Sequence, residues 1–225
     1  MGLAPTRRSF LGSGLIACSL LAVGHRSPSA ALAMPSVPPA PIRFDVLRAG
    51  DIIGSHQVDF SAVQNGLAVR TQIDIEVSVL GIKAFKFRHK STELWGTGRL
   101  RTFESETLDD DSRFFVNGRA TAEGFLINHR KGSELAPPEI MVGSYWTPEI
   151  ARQTLLIDPQ RGTLKQQRLV SKDTVALAIG RSPVEATRYT VEGLTNGWVA
   201  YDHNGRWLSA ELKKKGSDIL YRLRG

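Results

Sequence analysis

Sulfur chemistry is nearly absent from this chain: one of its 225 residues is cysteine, and that residue, Cys18, lies in a segment that reads as a leader. With the leader ending after Ala33, residues 34–225 contain no thiol, which excludes disulfides, a thiolate nucleophile and a cysteine-ligated metal or cluster. A domain of this length needs no such staple, since a chain of about 200 residues buries roughly 70% of its unfolded surface. Apolar runs are short as well. None approaches the ~20 consecutive residues of a spanning helix, so no permanent membrane span is expected. The G-x-S-x-G elbow, the H-E-x-x-H helix, the phosphate-cradling loop and G-x-G-x-x-G are all missing, and Gly96-Thr97-Gly98 lacks the third glycine and the helix it needs. No cofactor is implied. Charge of one sign is also scarce, with 29 Lys and Arg against 22 Asp and Glu. Losing the leader removes Arg7, Arg8 and Arg26 and no acid. The remaining basic residues are interspersed with acids except at Lys213, Lys214 and Lys215, which read as a solvated turn or strand end. No nucleic-acid partner is expected, since such proteins concentrate charge on one face.

What is present begins with Thr6-Arg7-Arg8-Ser9-Phe10-Leu11, a paired arginine ahead of a stretch, Gly12 to Gly24, diluted by glycine and serine. His25 and Arg26 follow, then small residues ending in Ala31-Leu32-Ala33, an A-x-A cleavage pattern. The order resembles a twin-arginine signal, which makes the twin-arginine translocase a partner during export and the periplasm the destination. A general secretory signal is the plainer alternative. Leu15-Ile16-Ala17-Cys18 also resembles a lipobox, although apolar residues continue past Cys18. Residues 34–41, M-P-S-V-P-P-A-P, form a proline-rich tether without core-forming power.

From Ile42 onward, period-two alternation dominates. Between Val69 and Leu80, Val69, Thr71, Ile73, Ile75, Val77 and Val79 share one face and Arg70, Gln72, Asp74, Glu76 and Ser78 the other. A strand wet on one side and packed on the other implies an antiparallel sheet. Further strands are expected at 42–47, 53–60, 82–94, 99–108, 112–117, 124–130, 162–169, 187–191, 198–202, 208–212 and 218–223. They are joined by turn sequences such as Gln64-Asn65-Gly66, Thr97-Gly98 and Asn204-Gly205. Residues 131–180 break the rhythm. Thr147-Pro148-Glu149 reads as a helix start with Thr147 as N-cap, the helix running to about Leu155, in an excursion that plugs or covers one side of the sheet. The expected fold is mainly all-β, one strongly curved antiparallel sheet, an open barrel or spiral, with one short helical excursion.

Ile52-Ile53-Gly54-Ser55-His56, Ile73 to Val77 with Leu80-Gly81-Ile82, His89 with Glu93-Leu94-Trp95, Tyr145-Trp146, and Tyr201-Asp202 with Gly205-Arg206-Trp207 together resemble a family of uncharacterised exported proteins of Gram-negative bacteria, a domain of unknown function. The resemblance runs over about Phe44 to Leu223. It implies a strongly curved antiparallel sheet similar to the open barrels of periplasmic lipoprotein carriers and to β-spiral envelope proteins, and it brings no reaction, cofactor or catalytic residue.

The most informative strand is Ala84 to Trp95. Phe85, Phe87, His89, Ser91, Glu93 and Trp95 share one face, with Lys86, Arg88, Lys90 and Thr92 opposite. If the aromatic face is interior, His89, Ser91 and Glu93 point inward with it and must be hydrogen-bonded. His56 joins them, sharing a face with Ile52, Val58 and Phe60. His89 and Glu93 either satisfy one another near a wet barrel mouth or form an acid–base pair. A metal held by His56, His89 and a carboxylate is a lesser alternative. His129 and His203 read as surface residues. Trp95, Tyr145, Trp146, Trp198, Tyr201 and Trp207 read as core anchors or as the wall of an apolar cavity.

Three functions follow. The first, preferred, is a non-catalytic periplasmic protein whose concave sheet takes an apolar or amphipathic molecule such as a lipid, or an envelope component or partner segment, through His56, Phe85, Phe87, His89, Ser91, Glu93 and Trp95. The second is a hydrolase or isomerase using His89 and Glu93. The third is an interaction module that adds a partner strand to an exposed sheet edge.

Overall fold

The computed structural model describes residues 38–79, 82–180, 182–214 and 216–224. The expected leader, with Arg7, Arg8, Cys18 and Ala33, and the first half of the tether lie outside them. Among the described residues fifteen strands form one open sheet: β1 (Ile42–Arg48), β2 (Asp51–Val63), β3 (Gly66–Val79), β4 (Ile82–Gly96), β5 (Arg99–Asp109), β6 (Ser112–Ala120), β7 (Phe125–His129), β8 (Gly132–Ala136), β9 (Met141–Val142), β10 (Leu155–Ile157), β11 (Leu164–Ile179), β12 (Ser182–Gly193), β13 (Gly197–Tyr201), β14 (Trp207–Lys214) and β15 (Ser217–Leu223). Their order is β8-β7-β6-β5-β4-β3-β2-β1-β15-β14-β13-β12-β11-β10-β9. Two meanders are therefore sewn together where the first and last strands pair, Phe44 opposite Leu223.

Alternation acts as expected. Leu67, Val69 and Thr71 of β3 are buried while Arg70 and Gln72 are exposed. The two-residue turns close because Asn65 takes φ of +58°, and Thr97 and Gly98 take +52° and +73°, the left-handed pair that matches the twist of the flanking strands. Curvature comes from bulges, where the ladder slips between Val77 and Ser78, Leu94 and Trp95, Val46 and Leu47, and Ala200 and Tyr201.

The second half departs from expectation. β11 and β12 are far longer than the segments 162–169 and 187–191. They pair from Gln167 opposite Gly193 to Ile179 opposite Ser182, and Pro183 is tolerated because it stands next to the strand's first residue. The helix is a single turn, α1 (Pro148–Ala151), and β8, β9 and β10 are strands the sequence pattern does not announce. Thr147 holds the N-cap position with extended backbone, yet its hydroxyl donates to the Glu149 carboxylate and caps no backbone N–H of the helix.

The excursion fills the concavity. Ile140, Met141, Val142, Tyr145, Trp146, Ile150, Leu156 and Ile157 are all buried in the one large core cluster, against Phe44, Val58, Val69, Trp95, Phe103 and Trp207. Its far end ties back to the opposite limb of the sheet. The Ser105 hydroxyl donates to Pro159 O at 2.7 Å, Arg161 pairs with Asp109 at 3.1 Å, and Leu164 N donates to Glu134 Oε2 at 3.2 Å. The curl is thus closed by side chains and a loop, with no ladder between β8 and β9.

Candidate functional site

Antiparallel register lines up the polar residues expected inside. His56 of β2 stands opposite Ile73, Ile73 opposite His89, and His89 opposite Thr107. One row along, Thr71 faces Ser91 and Ser91 faces Ser105; one further, Val69 faces Glu93 and Glu93 faces Phe103. Seven polar side chains, those of His56, Thr71, His89, Ser91, Glu93, Ser105 and Thr107, are buried on this surface.

His56, His89 and Glu93 are held in three different ways, while the hydroxyls of Thr71 and of Ser91, expected to be hydrogen-bonded, find no partner among the described residues. The His56 ring sits edge-on among Phe44, Trp207 and Tyr221 at centroid distances of 6.1, 5.3 and 5.5 Å. Neither of its nitrogens has a hydrogen-bond partner among the described residues. Loss of solvent, with a smaller contribution from His89, pushes its pKa down to about 3, so the ring is neutral. His89 shares a 2.8 Å hydrogen bond between Nδ1 and Thr107 Oγ1, and burial lowers its pKa to about 4. Glu93 is fully buried, and its Oε2 accepts from the indole N–H of Trp95 at 2.9 Å and of Trp146 at 3.2 Å. Oε1 lies beside Ser144 without a well-formed hydrogen bond. Desolvation outweighs these donors and raises the Glu93 pKa to about 7.

Between these strands and the excursion lies a chamber of about 90 Å³, walled by His56, Thr71, His89, Ser144, Tyr145 and Gln160 among others. At about 30 Å³ per molecule it has room for roughly three waters. The unpaired His56 nitrogens and Thr71 Oγ1 are groups that such occupants satisfy.

The structure therefore brings the expected residues to one side of the sheet but not into the arrangements first considered. His89 and Glu93 do not pair: they stand four positions apart along one strand, about 13 Å, and each is bonded elsewhere. Among the described residues no group of three or more His, Cys, Asp or Glu could hold a metal ion, so His56, His89 and a carboxylate do not assemble one. Trp95 is core, edge to face with Trp146 at 5.9 Å, and Phe87 is buried while Phe85 is half-buried. His203 is exposed, but His129 is not a surface residue: its side chain is 3% exposed, with Nε2 at 3.2 Å from Glu134.

Two features escaped the sequence. The first is the latch of the excursion, built around Tyr145 at φ of +55°, a conformation rare for an aromatic residue. Its hydroxyl donates to Gln167 Oε1 at 2.5 Å, its carbonyl accepts from Tyr201 at 2.8 Å, and Gln167 Nε2 donates to Ile150 O at 2.9 Å. The second is an open edge. β10 covers only Leu164 to Gln166 of β11, and Gln167 N donates to Thr154 O. From Arg168 to Ile179 the described residues pair β11 on one side alone, with β12. Thr174 to Ile179, T-V-A-L-A-I, contains neither charge nor proline, the devices by which natural edges are blunted.

Comparison with known proteins adds the following. The model of a domain of unknown function, DUF6134, matches residues 44–224. A solved structure described as a β-barrel-like protein of the domain of unknown function DUF1849, from Brucella abortus, superposes with a TM-score of 0.62 at 11% sequence identity, over 84% of this chain and 96% of that one. At that identity the likeness concerns the fold alone. None of the curated proteins matches.

Proposed function

This chain belongs to the DUF6134 family, and on that footing we propose that it is an exported, periplasmic, non-catalytic interaction module that takes up an extended partner segment along the free edge of β11. The single observation behind this reading is the twelve-residue edge from Arg168 to Ile179, paired on one side only among the described residues. Main-chain N–H and C=O groups along such an edge supply affinity for any extended chain, and the alternating side chains supply selectivity. Export rests on Arg7, Arg8 and the A-x-A pattern ending at Ala33. The test is site-specific photo-crosslinking in the periplasm. A photoreactive residue at position 176 yields adducts, whereas one at Lys90, on the outer face of β4, does not; absence of adducts from position 176 refutes the reading.

A second reading is kept by the chamber. The unpaired His56 and Thr71 atoms favour a small hydrogen-bonding molecule over a lipid, because an apolar or amphipathic ligand of lipid size requires the excursion, residues 137–163, to leave the concavity. Native mass spectrometry of protein taken from its own periplasm, followed by lipid extraction, decides: a co-purifying lipid overturns the preference for a small polar occupant, and a bare chain removes both.

A further inference from the structure

The strand-addition reading leaves open which chain supplies the added strand, and the residues of β11 narrow it. Along its outer half the strand alternates between two textures. Asp173, Val175, Leu177 and Ile179 are half-buried, and Thr174, Ala176 and Ala178 are exposed. Val175, Leu177 and Ile179 pack with Val184, Ala186, Trp198, Ala200 and Leu208 in a second, small apolar cluster, which stops at the strand edge with its last side chains half in water.

The geometry points to β11 of a second copy of this chain as the partner, antiparallel, with the two-fold axis passing through Ala176. This rests on the reading above. Antiparallel pairing about an axis normal to the sheet sets residues of the same face opposite each other. Centring on Ala176 places Val175 against Leu177 of the other copy and Leu177 against its Val175, so the apolar cluster runs unbroken across the join. On the other face Thr174 meets Ala178 and Ala176 meets Ala176, small side chains that allow close approach. Moving the centre to Val175 sets Asp173 against Leu177. Moving it to Asp173 or Lys172 stacks like charges, which destabilises cross-strand pairs. Centring on Leu177 keeps the apolar contacts but shortens the paired stretch. The Ala176 register is thus the longest in which Val175 and Leu177 meet only apolar residues. At the end of that stretch, away from the central Val175 and Leu177 contacts, Asp173 falls opposite Ile179 of the other copy, where it is half-buried and keeps its own-chain partner Arg188 at 2.9 Å.

The test uses residues 34–225, which carry no native thiol. Light scattering on the eluting protein at tens of micromolar is expected to give twice the chain mass. Ala176→Cys is expected to form an interchain disulfide on mild oxidation, since directly opposed strand residues lie within the Cα separation that a disulfide spans. The double variant Thr174→Lys, Ala178→Lys, at exposed positions that oppose each other across the join, is expected to elute as a folded monomer. Thr174→Lys, Ala178→Glu sets Lys against Glu and is expected to restore the dimer. A monomeric parent protein overturns the proposal, and so does a Lys/Glu variant that stays monomeric or a Lys/Lys variant that stays dimeric. The photo-crosslink at position 176 separates the two levels. An adduct to a different protein alongside a monomeric purified chain removes the second copy and keeps strand addition, whereas no adduct and a monomer remove both.

Discussion

Replacing Glu93 by Gln tests whether the centre of the fold is built around a carboxyl group that burial keeps protonated. The Glu93 pKa rises from 4.5 to about 7 on folding, and desolvation is the dominant cause. An acid whose pKa is higher in the folded state binds more protons there than in the unfolded chain. Its stabilising contribution is complete below pH 4.5, falls as pH climbs through that interval, and is gone above about 7. At about 1.4 kcal/mol per pH unit, the 2.5-unit rise corresponds to about 3 kcal/mol lost between pH 4.5 and 8. Gln cannot ionise. Its carbonyl still accepts from the indoles of Trp95 and Trp146, and its amide can donate to Ser144 where Oε1 now lacks a well-formed bond. Urea unfolding of residues 34–225 is expected to show the Gln variant close to the parent at pH 4.5 and more stable by up to about 3 kcal/mol at pH 8. A Gln variant that is less stable at pH 8, or a parent and variant with parallel pH profiles, refutes the argument that burial governs this group.

The histidines act in the opposite direction. With pKa values of about 3 and about 4 when folded, both are protonated first in the unfolded chain, so stability present at pH 7 is lost as pH falls below 6.5. His56→Phe, among Phe44, Trp207 and Tyr221, is expected to be neutral or stabilising at pH 7, and to flatten the acid limb of the stability profile by about one proton; an unchanged slope contradicts it. Trp146→Ala removes a buried indole from the core and a donor from Glu93, and a loss of about 3–5 kcal/mol is expected by chemical denaturation, with a change under 1 showing that the excursion is not integral to the core. Gly54→Val should abolish or severely weaken folding, because a Cβ there collides with the Asp74 main chain of the paired strand; circular dichroism of a well-folded variant argues against the β2–β3 register. Arg7→Lys with Arg8→Lys is expected to hold the precursor in the cytoplasm, and fractionation showing normal export refutes the twin-arginine assignment.

Strand faces are legible from residue type alone. Alternation is a local property: which side of β3 or β4 is packed follows from residue type at every second position, so Val69, Thr71, His89, Ser91, Glu93 and Trp95 lie inside as their parity requires. Turns are local for the same reason: Asn65 and Gly98 adopt left-handed backbone readily, and Thr97, a β-branched residue for which it is rare, is carried into it by the two-residue turn it shares with Gly98. Whatever depends on which strands become neighbours was out of reach of any local pattern and came from packing of the whole chain. That His89 answers to Thr107 and Glu93 to two indoles, not to one another, follows from the register of β4 against β5 and from Trp146 arriving out of the excursion, residues far away in the chain. That His129 is covered follows from the loop at Gly162 packing over it. That β11 is open along Arg168 to Ile179 follows from β10 being three residues long. An edge is not a property of the strand that bears it but of the strand that fails to continue beside it, and no pattern within T-V-A-L-A-I records that.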